Sequence, residues 1–175
     1  GASLEKTRRR FIKSSSPQGD YGQSNREWLI AGPFPAAGIA NPMAHPFIPD
    51  EDRLMPLPNR NGWSAPIYFT DDRIDLGDYF TRNQKKAIPD KMVGYAFTLF
   101  DAPRDQEAEF WIGTDEAMRI YLNGELIYDQ SQTSLFPNGT LYNEIIKARI
   151  KAGENRLLVK TVQTEGYYHF SLNIC

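Results

Sequence analysis

Residues 70–78 read Thr70-Asp71-Asp72-Arg73-Ile74-Asp75-Leu76-Gly77-Asp78, four carboxylates within nine positions. Two chemistries use such a cluster. Glycoside hydrolysis needs a pair of carboxyls about 5 to 9.5 Å apart, one of them held protonated by its surroundings. A hard cation such as calcium instead wants about six to eight oxygens, which a carboxylate-rich loop supplies. Asp71, Asp72 and Asp75 are the candidate ligands for a structural calcium, although the spacing is not that of an EF-hand. A solvated, charge-balanced loop is the plainer account, and no other cofactor is indicated.

The other reactive types are sparse. His45 and His169 are too few and too far apart for a histidine-rich metal site, and His169 falls inside a strand pattern that would half-bury it. The single cysteine, Cys175, has no positioned base near it in sequence. No Cys-x-x-Cys, His-Glu-x-x-His, Gly-x-Ser-x-Gly or phosphate-cradling glycine loop occurs, so no catalytic constellation emerges. Asp115-Glu116 precedes a strand, where carboxylates accept loop N–H bonds well or can face a ligand.

Aromatic residues make up 13% of the chain, and a ring on a loop can stack on the apolar side of a pyranose. Trp63, flanked by Asn61-Gly62 and Ser64, is the best single candidate, since its neighbours imply an exposed turn. The same ring could equally fold back over the proline-rich segment around it. Tyr142 is a second candidate, and Tyr167 or Tyr168 would reach the same edge. Trp28 and Trp111 sit inside strand patterns and read as core.

Composition narrows the partners. With 175 residues, 41% hydrophobic and 24% charged, the chain should bury roughly 70% of its unfolded surface. A net charge of −2 gives no reason to expect nucleic acid or an anionic membrane. No apolar run approaches the ~20 residues that span a bilayer. Thr7-Arg8-Arg9-Arg10-Phe11-Ile12-Lys13 resembles a twin-arginine signal, but the polar Ser14 to Asp20 follows where an apolar region is required. Residues 1–26 therefore read as an arm or linker.

The elements that would position these residues are strands. Nine of the twelve prolines lie between Pro17 and Pro66. In that region one strand, Glu27 to Ala31, stops at Gly32-Pro33 and gives way to a long irregular excursion over residues 33–66. An excursion of that length should pack on the core or shape a site. Strand patterns then recur over residues 73–76, 92–100, 108–113, 144–150, 156–162 and 167–174, and Leu76 to Lys86 has room for one or two helical turns. Ile120 to Tyr128 is a hairpin whose Asn123-Gly124 supplies a type I′ turn. Asn138-Gly139-Thr140 marks a surface turn. Without crossover helices the order must be antiparallel, and the expected fold is an all-β antiparallel sandwich, a jelly roll, over residues 27–175.

Several stretches carry a resemblance. Trp28-Leu29-Ile30-Ala31-Gly32-Pro33-Phe34-Pro35 is similar to the "W-x-I-x-G-P-F" opening of a bacterial jelly-roll module. Gly113 to Glu125 resembles its "G-S-D-D-G-x-x-V-W-L-N-G-K" core, with Glu116, Ala117 and Tyr121 departing from it. Lys151 to Lys160 resembles "L-K-x-G-x-N-R-L-L-V-K", and Gly166 to Leu172 resembles "G-x-W-x-F-x-L". The family is that of galactose-binding-domain-like β-sandwiches. The resemblance implies a non-catalytic module that holds polysaccharide or oligosaccharide beside an adjacent catalytic domain, in an extracytoplasmic bacterial protein. Trp63, Tyr142, Tyr168, Asp115 and Glu116 are then the expected ligand contacts. Two other readings stay open: a purely structural interdomain sandwich, and a small carboxylate-dependent glycan-active enzyme.

Overall fold

A computed structural model describes residues 27–69, 73–83, 89–114, 117–131, 144–164 and 168–174. Ten strands run through them: β1 (Glu27–Pro35), β2 (Ile67–Tyr68), β3 (Ile74–Asp75), β4 (Met92–Ala102), β5 (Gln106–Thr114), β6 (Ala117–Leu122), β7 (Glu125–Gln130), β8 (Glu144–Ile150), β9 (Gly153–Gln163) and β10 (His169–Ile174). One α-helix, α1 (Leu76–Asn83), follows β3. The strands form a six-stranded sheet ordered β2-β1-β4-β9-β6-β7 and a four-stranded sheet ordered β3-β10-β5-β8. Each pairing among them is antiparallel. The all-β sandwich expected from the strand spacing is the observed fold.

Period-two alternation decides what lies between the sheets. Phe110 and Ile112 of β5 and Phe170, Leu172 and Ile174 of β10 meet Trp28, Ile30, Phe100, Leu157, Val159 and Ile120 of the larger sheet. Trp28 and Phe170 stack edge-on at 5.4 Å. From α1, Leu76 and Phe80, four residues apart and so on one helical face, close one end of this core. The hairpin turn is as its residues dictate, with φ of 52° at Asn123 and 86° at Gly124.

Asn155 explains why the turn before β9 is written Gly153-Glu154-Asn155. Its side chain is fully buried, donates to the carbonyls of Lys151 at 2.8 Å and Gly153 at 3.1 Å, and accepts from the Lys151 N–H at 3.0 Å. The Asn123 carboxamide donates to it as well, at 3.0 Å, so one side chain ties this turn to the neighbouring hairpin.

β4 shows no polar alternation because both of its faces are covered. Val93, Tyr95, Phe97 and Leu99 face away from the sandwich and are buried with Met43, Ile48 and Trp63 of the excursion. The excursion is thus a third layer laid on the larger sheet. Lys160 of β9 fastens it. This lysine is fully buried, donates to the His45 carbonyl at 2.6 Å and to both Glu51 carboxylate oxygens at 3.0 Å, and lies over the rings of Phe47 and Tyr95. Tyr95 donates its own hydroxyl proton to Glu51. On the same face Arg156 donates to the carbonyls of Arg53 and Leu54, and Arg119 to that of Met43.

Two outcomes follow for stability. Lys160→Met leaves the Glu51 carboxylate, only 12% exposed, beside rings with no cation, and we expect a loss of about 3 kcal/mol in urea denaturation. Adding Glu51→Leu should recover most of it, and a neutral single substitution would show that the pin is dispensable.

Burial, aided by the neighbouring Glu51 and Glu144 carboxylates, pushes the Tyr95 and Tyr128 phenols well above their usual range, and burial raises Tyr121 too. A phenol raised in the fold stays protonated while the unfolded chain ionises, so this stability is present below 10.0 and is lost as pH climbs past it. Lys160, lowered by burial, acts in the opposite sense up to 10.5, one amine against three phenols. Thermal melts should therefore show Tm falling once pH passes about 10. A Tm that holds or rises there would contradict the burial of these rings.

Candidate functional site

The two sheets end, on one side, in their shortest strands: β2 on the larger sheet and β3 on the smaller. Between them and α1 opens a cleft of about 510 Å³. Its apolar wall is Ile67, Tyr68, Phe69 and Tyr79, and its polar wall is Arg73, Asp75, Asp78, Arg82 and Asn83. Tyr68 is 59% exposed, far more than a ring needs to be if its role is packing. Phe69 and Tyr79 support one another at 6.4 Å, and Tyr79 rests on the buried Phe80 at 5.6 Å.

Local sequence builds the polar wall. Asp75 ends β3 and caps α1, its Oδ1 accepting the Asp78 N–H at 2.8 Å. Asp78, in the first turn, receives Arg82 Nε at 3.1 Å, an i,i+4 pair open to solvent and worth little for stability. Asn83 Nδ2 donates back to the Tyr79 carbonyl at 2.8 Å. Each carboxylate thus has one oxygen engaged, and both residues are exposed. That arrangement suits hydrogen bonding to a hydroxylated ligand better than general acid catalysis, which needs a carboxyl in apolar surroundings.

The sequence-derived candidates fare unevenly. Trp63 is not an exposed platform: it is 5% exposed, forms an antiparallel bridge with Ala31, and packs edge-on against Tyr95 at 6.4 Å and Phe97 at 6.3 Å. The turn beside it is real, with positive φ at Asn59, Asn61 and Gly62, but it aims the ring back onto the sheet. Trp63 there lines an apolar groove of about 590 Å³ with Phe34, Phe47, Leu54 and Met55. Tyr168 is likewise corrected from edge to interior. It is 3% exposed, and its hydroxyl shares a 2.5 Å hydrogen bond with that of Thr161.

Tyr142, Asp115, Glu116, Asp71 and Asp72 lie outside the described residues. Of the acidic cluster, the structure brings Asp75 and Asp78 together. No group of three or more His, Cys, Asp and Glu side chains that could hold a metal occurs among the described residues.

Sequence reasoning missed Tyr68, Tyr79 and Trp111. Trp111 is not core: it shares the outward parity of Glu109, to whose Oε2 its indole N–H donates at 3.1 Å, and it is half-buried. The alternation of Glu109 and Trp111 against Ala108, Phe110 and Ile112 was the signal that could have placed it.

No family model matches the sequence, and neither does any curated protein. Among solved structures, a β-glucosidase from Kluyveromyces marxianus superposes with a TM-score of 0.55 and 14% identity, over 94% of this chain and 20% of that one. A β-glucuronidase from Ruminococcus gnavus gives 0.49 at 14% identity, over 85% of this chain and 23% of that one. A family 35 carbohydrate binding module from Clostridium thermocellum gives 0.35 at 19% identity, over 47% and 69%. The first likeness shows a shared β-sandwich fold, and the lower scores carry no further weight. This chain spans about a fifth of the β-glucosidase's length.

The cap gives the site its own test. Asp75→Ala should cost about 1 kcal/mol through loss of the α1 cap. Chemical denaturation should report it, and no change would mean that α1 is held by Leu76 and Phe80 alone.

Proposed function

We infer that this chain is a non-catalytic carbohydrate-binding or accessory module, a galactose-binding-domain-like sandwich belonging to a larger secreted or periplasmic glycan-degrading protein. The observation that carries this reading is the edge cleft: an exposed Tyr68 ring, with Tyr79 nearby, set opposite exposed carboxylates, guanidiniums and a carboxamide. Rings offer the apolar side of a pyranose a flat partner, and the polar wall offers its hydroxyls both donors and acceptors. The β-sandwich shared with part of a β-glucosidase supports the same setting. Such a module acts by keeping a polysaccharide close to a catalytic neighbour, which raises effective concentration without new chemistry. A shallow cleft with few contacts gives weak affinity per site.

One observation favours the structural reading instead. The groove beside Trp63 is mostly apolar and leaves Met55 39% exposed, a surface that suits packing against another domain.

A glycan array followed by titration separates the two. The intact chain should bind at least one glycan weakly. Tyr68→Ala should reduce that affinity roughly tenfold, about 1.4 kcal/mol, with stability unchanged. Trp63→Ala should instead cost about 3 kcal/mol of stability by emptying a buried site. Binding to no glycan at millimolar protein would favour the interdomain module.

A further inference from the structure

A tight notch lies under the helix that forms the polar wall of the cleft. Gly94 of β4 stands opposite Thr161 of β9. Both face the smaller sheet, since their neighbours Val93, Tyr95 and Lys160 face the excursion. A Cβ built on Gly94 would lie 2.6 Å from the Tyr168 hydroxyl and 3.1 Å from the Phe80 ring, so glycine is what lets both rings come this close to the strand. Thr161 Oγ1 donates to the Gly94 carbonyl at 3.1 Å, which leaves the Tyr168 hydroxyl as donor in the 2.5 Å bond between the two side chains. Tyr168 immediately precedes β10 of the smaller sheet, so its side chain crosses from one sheet to the other. Its backbone carbonyl accepts the Gly77 N–H of α1 at 3.0 Å, and its ring lies 6.0 Å from that of Phe80.

One residue thus holds α1 at two places, at its first turn through the Gly77 amide and a turn later through Phe80. The helix presents Asp78, Tyr79, Arg82 and Asn83 to the cleft. Tyr79 rests on Phe80 at 5.6 Å and meets Phe69 at 6.4 Å, so ring contacts run from the notch to the cleft. A close-packed interior passes small displacements along such contacts instead of absorbing them. Tyr68, across the cleft, belongs to the larger sheet, as do Gly94 and Thr161. The separation of the two walls therefore depends on where the Tyr168 ring is stopped against that sheet. We propose that Tyr168 is the positioning residue of the edge cleft: its hydroxyl, seated on Thr161 beside Gly94, sets how far α1 stands from Tyr68 and so the width open to a ligand. The consequence for sugar binding rests on the reading of the cleft given above. Tyr168 itself, 3% exposed, does not touch the ligand.

Two substitutions at the notch offset one another in volume. Tyr168→Phe removes the hydroxyl and leaves a gap beside Gly94, and Gly94→Ala puts a methyl where that hydroxyl stood. Each alone should move the backbone amide signals of Tyr79 and Arg82 in a nitrogen–proton correlation spectrum. Each should also weaken, several-fold, whichever of cellohexaose, xylohexaose and mannohexaose binds most tightly. Together they should return those signals close to their positions in the unsubstituted protein and restore most of the affinity. The pair should fold even where Gly94→Ala alone does not. Tyr68→Ala, on the opposite wall, should weaken binding and leave the α1 signals in place. A ring that only fills the core would lower Tm without moving α1, and the pair would restore nothing. The proposal is overturned if Tyr168→Phe leaves the Tyr79 and Arg82 signals unmoved. It is equally overturned if the pair lies no nearer the unsubstituted protein than Tyr168→Phe does. Signals that move and return, while no form of the protein binds any of the three sugars, uphold the positioning role and overturn the sugar reading alone.

Discussion

One buried cation organises this molecule. Lys160 sits in the middle of the larger sheet, where a strand residue facing outward would ordinarily meet water. Each of its three N–H donors has an acceptor: two oxygens of Glu51 and the carbonyl of His45. Taking an ammonium out of water is expensive, and the attraction to Glu51 offsets that cost only because every donor is met and the rings of Phe47 and Tyr95 lie close. Buried pairs of this kind add little net stability, so their effect is to fix a position. Here the position is that of the proline-rich segment, which has almost no regular structure to place it.

The same device recurs along that face with less burial. Arg119 and Arg156 lie on the strands beside and within which Lys160 runs, and both reach carbonyls of the excursion. An irregular segment laid on a sheet has backbone oxygens that no ladder satisfies, and leaving them dry is costly. Cationic side chains rising from the sheet meet part of that need. The pairs Ile30–Ser64 and Ala31–Trp63 meet more of it by letting the end of the excursion join β1. Apolar burial of Trp63, Met43 and Ile48 then supplies the drive toward the sheet.

The strands were legible because period-two alternation and turn chemistry are local. Asn123-Gly124 adopts the conformation its residue types favour, and β8 alternates as its residues do. The excursion was legible as something that must pack, but its anchor was not, because Glu51 and Lys160 are 109 residues apart. Trp63 shows where local reading stops. Asn61-Gly62 forecast a turn, yet a turn does not say which way the next side chain goes. The edge cleft escaped for a related reason: β2 and β3 are two residues each, too short to leave a pattern, and Tyr68 gains its exposure from strand order alone. Asp75 and Asp78 were legible as a pair of acids, while the cap that engages one of them was not.

The brevity of β2 and β3 also bears on behaviour in crowded solution. A sheet edge invites a foreign strand when it presents a run of unsatisfied amides and carbonyls, and two-residue strands present almost none. The side of the sandwich that holds the cleft is therefore a poor template for end-to-end polymerisation. It can stay open to a ligand without recruiting copies of itself.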